Sequence, residues 1–256
     1  MEINEKNMLH DIHIDISMYN AAGHLVPSAY QRMVINMIEE HLDAIEMGEK
    51  AFMEKHGLSW ILLYMALEIK RRISPSMKLT ARTWHSQTIP PYFRRDFEIL
   101  DENGEQVCVG ATLSALFFTA DRRLCMDRAK IALADIGSGE CLLDINRRFI
   151  CKQSFELVEE RKVRPSMIDG VGHVNNTHYG EFVYDAMTDE ERGRLDSLER
   201  LDVWFTSELT EGARFLVERA TTGEDEVAYR GIIASDGKTS FAMKLKFGGF
   251  KNEREN

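Results

Sequence analysis

The sequence predicts an α+β chain built from two copies of one unit: a strand, a turn, one central helix and then several long antiparallel strands. Three observations carry this. "GHLVPSAYQRMV" from Gly23 recurs as "GHVNNTHYGEFV" from Gly172, with His24 and His173, Tyr30 and Tyr179, and Val34 and Val183 each 149 positions apart. The order of elements around that motif is the same in both halves. Each half also contains a strong hairpin signal, "ENGE" around Gly104 and "SDG" at Gly237, where glycine accepts the backbone angles of a tight turn.

In chain order, "HIDISMYN" alternates apolar and polar residues as a half-buried strand does. From Ala29 to about Ile45, the residues Val34, Ile38, Leu42 and Ile45 recur at helical spacing. Strand-like runs follow in "SWILLYMALEIKRRI", "KLTARTWHSQT" and "FRRDFEILDENGEQVCVGATLSALFFT". The second half repeats the plan with "SFELVEERKVR", the "GHVNN" turn, a helix to about Met187, and strands in "LERLDVWFTSEL", "ARFLVERATT", "EVAYRGIIAS" and "KTSFAMKLKF". The glycines of the two hairpins are only 133 apart, so the second copy is shorter between helix and hairpin. These patterns divide the chain into an N-terminal domain over 1–130, a linker over 131–150 with "DIGSGE" as its turn, and a C-terminal domain over 151–256. A sheet in such a unit can wrap around its helix, although periodicity alone is shared with other α+β folds.

Composition narrows the function. At 256 residues and 44% apolar content, either half can bury a core, and a net charge of −10 argues against general nucleic-acid binding. Cys108, Cys125, Cys141 and Cys151 have no paired spacing and read as free thiols of a reducing compartment. No secretory signal is visible, and the longest apolar run, "WILLYMAL", is too short to span a bilayer. A cytoplasmic protein without membrane insertion is the expectation.

"MIDGVGHVNNTHYGEFV" followed by "VWFTSEL" resembles the second half of acyl-acyl-carrier-protein thioesterases, and "GLSWILLYMALEI" with "YFRRDFEILDENGE" resembles their first half. The resemblance implies two tandem hotdog domains, each a curved antiparallel sheet around a long central helix. It also implies an acyl-[acyl-carrier-protein] hydrolase that releases free fatty acid in fatty acid biosynthesis, with acyl carrier protein (ACP) as partner and no cofactor. The family motif D-x-N-x-H-V-N-N falls on Asp169 to Asn176, with Asp169 and His173 matching and Val171 replacing the middle asparagine. The family's downstream acid falls on Glu208, and Leu209 stands where plant members place a cysteine, which argues against a cysteine nucleophile.

Thioester hydrolysis needs an activated water, a stabilised oxyanion and a protonated leaving thiolate. Glu208 is the candidate general base. His173 orients the water, bonds the carbonyl or protonates the thiolate, and Asp169 fixes its orientation. Backbone N–H groups at the helix start near Asn176 form an oxyanion site, and Gly172 permits close approach of the substrate. Asn175, Asn176 and Tyr179 complete the expected binding residues. At the corresponding places the first copy has Asn20 for Asp169, Ala22 for Val171 and Ser74 for Glu208 while keeping His24. The chemistry is therefore expected in the second domain, with the first shaping the acyl pocket.

Structural roles compete with these. Asn175 and Asn176 suit helix capping, His173 suits a satisfied turn, Glu208 suits a solvated strand end, and Tyr179 suits a pocket wall. His10, His13, His173 and His178 make no convincing metal set. The pairs Arg71-Arg72, Arg94-Arg95, Arg122-Arg123 and Arg147-Arg148 read mostly as solvated faces, although an arginine patch would also steer an acidic carrier protein or hold coenzyme A phosphates. Acyl-coenzyme A hydrolysis, non-catalytic acyl binding and dehydration on the same fold are the alternative functions. A monomer and a homodimer are both open.

Overall fold

A computed structural model describes residues 8–120, 123–137 and 139–248. The first copy contributes β1 (His10–Ile12), α1 (Pro27–Ala44), α2 (Glu49–His56), β2 (Leu58–Ile69), β3 (Leu79–Ile89), β4 (Tyr92–Leu100), β5 (Gln106–Phe118), β6 (Arg123–Leu124) and α3 (Arg128–Leu133). The second contributes β7 (Glu156–Lys162), α4 (His178–Ala186), α5 (Asp189–Gly193), β8 (Leu198–Phe205), β9 (Arg214–Thr221), β10 (Glu226–Ile233) and β11 (Thr239–Phe247).

Contacts group these elements into two compact units. One holds the described residues up to His13, Met33–Glu68 and the described part of Ser76–Ile145; the other holds Ile14–Arg32, Ile69–Pro75 and the described residues from Asn146 onward. In the first, the strand order is β1-β3-β4-β5-β2, with β6 on β5. The pairs β1–β3, β3–β4 and β4–β5 are antiparallel. Its apolar cluster joins Phe52, Leu58, Phe93, Leu116, Cys125, Ile131 and Ala134. In the second unit the order is β8-β11-β10-β9-β7, antiparallel throughout.

The helix of the second copy forms because its apolar residues share one face. Tyr179, Phe182, Val183 and Ala186 are buried at spacings of three and four. Tyr179 packs its ring on Phe205 of β8 and Phe241 of β11, and Phe182 packs on Phe215 of β9 and Phe241. The helix thus lies against the sheet through an aromatic layer. In α1, Ala29, Tyr30, Met33, Val34 and Met37 are buried in the same periodic manner, and Pro27 opens the helix where a missing N–H costs nothing. The "ENGE" hairpin joins β4 to β5: Asp101 accepts the Asn103 and Glu105 N–H groups at 2.9 and 2.8 Å.

Two expectations need correction. "HIDISMYN" is not a strand: β1 ends at Ile12, and Asp15 accepts the Ser17 N–H at 2.7 Å to cap a 3-10 turn over Ile16–Met18. A short acidic side chain that bonds its own backbone ends extended pairing. Between the copies, Asp127 caps α3, and several described residues beyond it are hydrogen-bonded to the strands. The Trp84 indole donates to the Glu140 carbonyl at 2.9 Å, the Leu142 N–H reaches Asp96 at 2.8 Å, and the Trp204 indole donates to Asn146 at 2.8 Å. Arg94 and Arg95 are not solvated either, being 7% exposed. Arg94 forks onto buried Asp96 at 2.7 and 2.8 Å and donates to the Leu143 carbonyl. By contrast, Arg71, Arg72, Arg147 and Arg148 are exposed, and Arg122 lies outside the described residues.

Candidate active site

The turn that carries His173 is built twice, bond for bond. In the second copy Ile168 and Val174 form a bridge, the Asp169 N–H donates to the His173 carbonyl at 2.9 Å, and the Asn175 N–H donates to Met167 at 2.9 Å. In the first, Tyr19 and Leu25 form the bridge, the Asn20 N–H donates to His24 at 2.8 Å, and the Val26 N–H donates to Met18 at 3.1 Å. Each of these positions is 149 residues from its counterpart. Gly172 and Gly23 take φ of +89° and +76°, a region in which other residues are strained. The sequence repeat is therefore a repeat of main-chain geometry.

Asp169 forms the centre of its turn. Its Oδ1 accepts the Val171 N–H at 3.0 Å and the His173 N–H at 3.3 Å. Asn20 does the same for Ala22 and His24 at 3.0 and 2.9 Å. Asp169 thus orients His173 through the main chain, and the amide of Asn20 shows that the turn itself does not require the charge. Val171, 60% exposed, directs its side chain to solvent.

Glu208 arrives from the far end of the sheet. Past the end of β8, the Thr206 and Ser207 N–H groups both donate to the Ser240 carbonyl, at 2.8 and 3.0 Å. The Leu209 carbonyl then accepts the Val174 N–H at 3.0 Å. These bonds put the residue before Leu209 beside the residue before Val174. Glu208 Oε2 consequently lies 3.2 Å from His173 Nε2, with side chains 42% and 20% exposed. A carboxylate and an imidazole this close, and partly open to solvent, can take up and return a proton.

The helix start supplies the remaining groups. Asn175 Oδ1 accepts the Thr177 N–H at 3.0 Å and its hydroxyl at 2.8 Å, so this asparagine has the capping role. Asn176 makes no such bond, and among the described residues nothing accepts its N–H. Tyr179 is buried. Burial pushes its hydroxyl up to about 12 against hydrogen bonds with Ser240 and the Leu209 backbone. His178 pairs with Glu181 at 2.6 Å within its own helix, and His10 meets His41 at 3.2 Å.

Two details of the first copy escaped sequence reasoning. His24 does face a carboxylate, Asp196, at 3.9 Å, contributed by a 3-10 turn rather than a strand end. Pro27 stands at the position of Asn176, so the first turn has no N–H there to offer an oxyanion. The proline was legible in the aligned repeat.

Residues 7–129 match the acyl-ACP thioesterase N-terminal domain, and residues 152–248 match the acyl-ACP thioesterase C-terminal domain. The chain belongs to the acyl-ACP thioesterase family. Its reaction is accordingly hydrolysis of fatty acyl-ACP thioesters. No curated protein sequence matches the chain. Among solved structures, an acyl-ACP thioesterase from Bacteroides thetaiotaomicron is 18% identical with a TM-score of 0.83, covering 96% of this chain and 100% of that one. A 12:0-ACP thioesterase from Umbellularia californica is 17% identical with a TM-score of 0.75, covering 94% and 96%. A MaoC-like dehydratase from Phytophthora capsici reaches 0.52 at 15% identity, covering 74% and 72%. At these identities the likenesses speak for the fold, which is the expected α+β hotdog architecture. No helix among the described residues is long and apolar enough to cross a membrane.

Proposed function

We propose that this acyl-ACP thioesterase works through Glu208 and His173, and the 3.2 Å contact between them is the observation that carries the reading. Glu208 takes a proton from a water as that water adds to the thioester carbonyl. The Asn176 N–H holds the oxyanion that forms, as helix-start donors do. Collapse breaks the carbon–sulfur bond, and the proton held by the Glu208–His173 pair passes to the departing thiolate. Fatty acid and carrier thiol leave, and the pair is restored. Asp169 is a positioning residue that presents His173 through the turn. Gly172, Asn175 and Tyr179 shape the pocket.

In this reading the C-terminal domain over 151–256 performs the chemistry and the N-terminal domain over 1–130 shapes the acyl pocket. The first copy supports the division, since it combines a retained His24 with Pro27 and with Ser74 in place of the acid. The carrier is ACP, and the protein acts in the cytoplasm as a monomer or homodimer. The test is thiol release from matched acyl-ACP and acyl-coenzyme A across several chain lengths, with His173→Ala and Glu208→Ala alongside. Activity confined to acyl-coenzyme A would replace the carrier. Undiminished activity in both variants would overturn the site.

A further inference from the structure

One polar side chain beside the site has no role in this scheme. Gln31, on the first copy's helix α1, is completely buried. Its Nε2 donates to the Asn176 carbonyl at 3.0 Å. Its Oε1 has no hydrogen-bond partner among the described residues. A buried amide with an unused acceptor is costly, so an apolar residue would fill this space with less penalty.

The space is also made for it. A Cβ on Gly180 of α4 would fall 2.1 Å from Gln31 Oε1 and 2.6 Å from the Ser28 nitrogen. Gly180 is the residue 149 positions after Gln31. At this one position in the repeat, then, the first copy supplies a carboxamide and the second supplies the gap that receives it. Asn176, the carbonyl partner, is the residue whose N–H is unclaimed among the described residues and whose counterpart in the first copy is a proline.

We infer that Gln31 is a positioning residue for hydrolysis: its Nε2–H grips the Asn176 carbonyl and so holds the Asn176 N–H aimed at the oxyanion. The inference rests on the site proposed above. A donor held in place before the reaction spends no energy reorienting as charge develops on the oxygen. The contribution therefore falls on kcat rather than on KM.

The experiment is steady-state kinetics on acyl-ACP for wild type, Gln31→Met, Gln31→Glu and His173→Ala. Gln31→Met keeps the length of the side chain and removes both polar atoms. It is expected to lower kcat about tenfold or more with KM within about twofold, as loss of orientation does. Gln31→Glu supplies a pH readout. Burial raises the pKa of the introduced carboxyl. While protonated it donates to Asn176; once ionised it repels that carbonyl. Its kcat relative to wild type is therefore expected to fall as pH rises, a trend that packing alone does not produce. If Gln31→Met keeps wild-type kcat, or if Gln31→Glu tracks wild type at every pH, while His173→Ala is inactive, the role of Gln31 is overturned and the site stands. If His173→Ala retains full activity, the site itself fails and this inference falls with it.

Discussion

His173 Nε2 and Glu208 Oε2 lie 3.2 Å apart because the Val174 N–H and the Leu209 carbonyl, one residue further along each segment, are hydrogen-bonded at 3.0 Å. The main chain thus sets the distance between the two groups of the proposed proton relay. Both side chains are partly exposed, so their pairing adds little to stability, on the order of 0–1 kcal/mol. His173→Ala and Glu208→Gln are expected to lower kcat by about 10²–10⁴ while thermal unfolding stays near wild type. Thiol-release assays and melting curves on the same samples check this.

Asp169 separates shape from charge. Asn20 makes the same two main-chain bonds with an amide, so Asp169→Asn is expected to preserve the turn. Asp169→Ala removes the acceptor for two N–H groups and is expected to cost about 1–2 kcal/mol. The alanine variant should also lose far more kcat than the asparagine variant, because His173 is then held by a slack turn. Chemical denaturation and kinetics of the two variants decide it. Equal loss in both would place the importance in the carboxylate charge.

Tyr179 is predicted to remain a neutral wall residue during catalysis. Burial raises its hydroxyl to about 12 from an ordinary 10.0. Unfolding exposes a phenol that ionises more readily, so the related stability is complete below pH 10.0 and is lost as pH rises through about 12. Tyr179→Phe is expected to keep kcat within about threefold and to lose less stability than wild type between pH 8 and pH 12. Unfolding midpoints across that range are the measurement.

A second network braces the same unit. Glu191 accepts from Arg219 at 2.9 and 2.6 Å, from the Tyr229 hydroxyl at 2.6 Å and from the Thr188 N–H at 2.8 Å. Burial on its own would raise its pKa, but the bonds from Arg219, Tyr229 and Thr188 outweigh it and hold the carboxyl below its ordinary 4.5. The stability it confers is present above pH 4.5 and is lost as pH falls through the lowered value. Glu191→Ala leaves the buried Tyr229 hydroxyl unpaired and is expected to cost about 1–3 kcal/mol at neutral pH, with the gap to wild type closing in acid. Denaturant titrations at pH 7 and pH 3 would show the convergence, and a constant gap would contradict it.

Much of this architecture was legible along the chain. Helices α1 and α4 follow from apolar residues at helical spacing, and the β4–β5 hairpin follows from "ENGE". The turn around His173 follows from a motif that could be set against its own repeat. Where the reading failed, a local side-chain bond overrode the pattern. Asp15 turned an alternating run into a capped 3-10 turn, and Asp96 drew Arg94 out of solvent.

By itself the sequence determined the repeat, the family and the identity of the candidate acid and histidine. Each of these rests on residue type and spacing along one dimension. Only the tertiary structure decided that Glu208 meets His173, that Asp169 bonds the His173 main chain, and that Gln31 reaches Asn176 through the gap at Gly180. The first and last of those contacts join residues remote in the chain. They are set by strand register and by how closely two helices approach, and neither quantity is encoded in the spacing of any single segment.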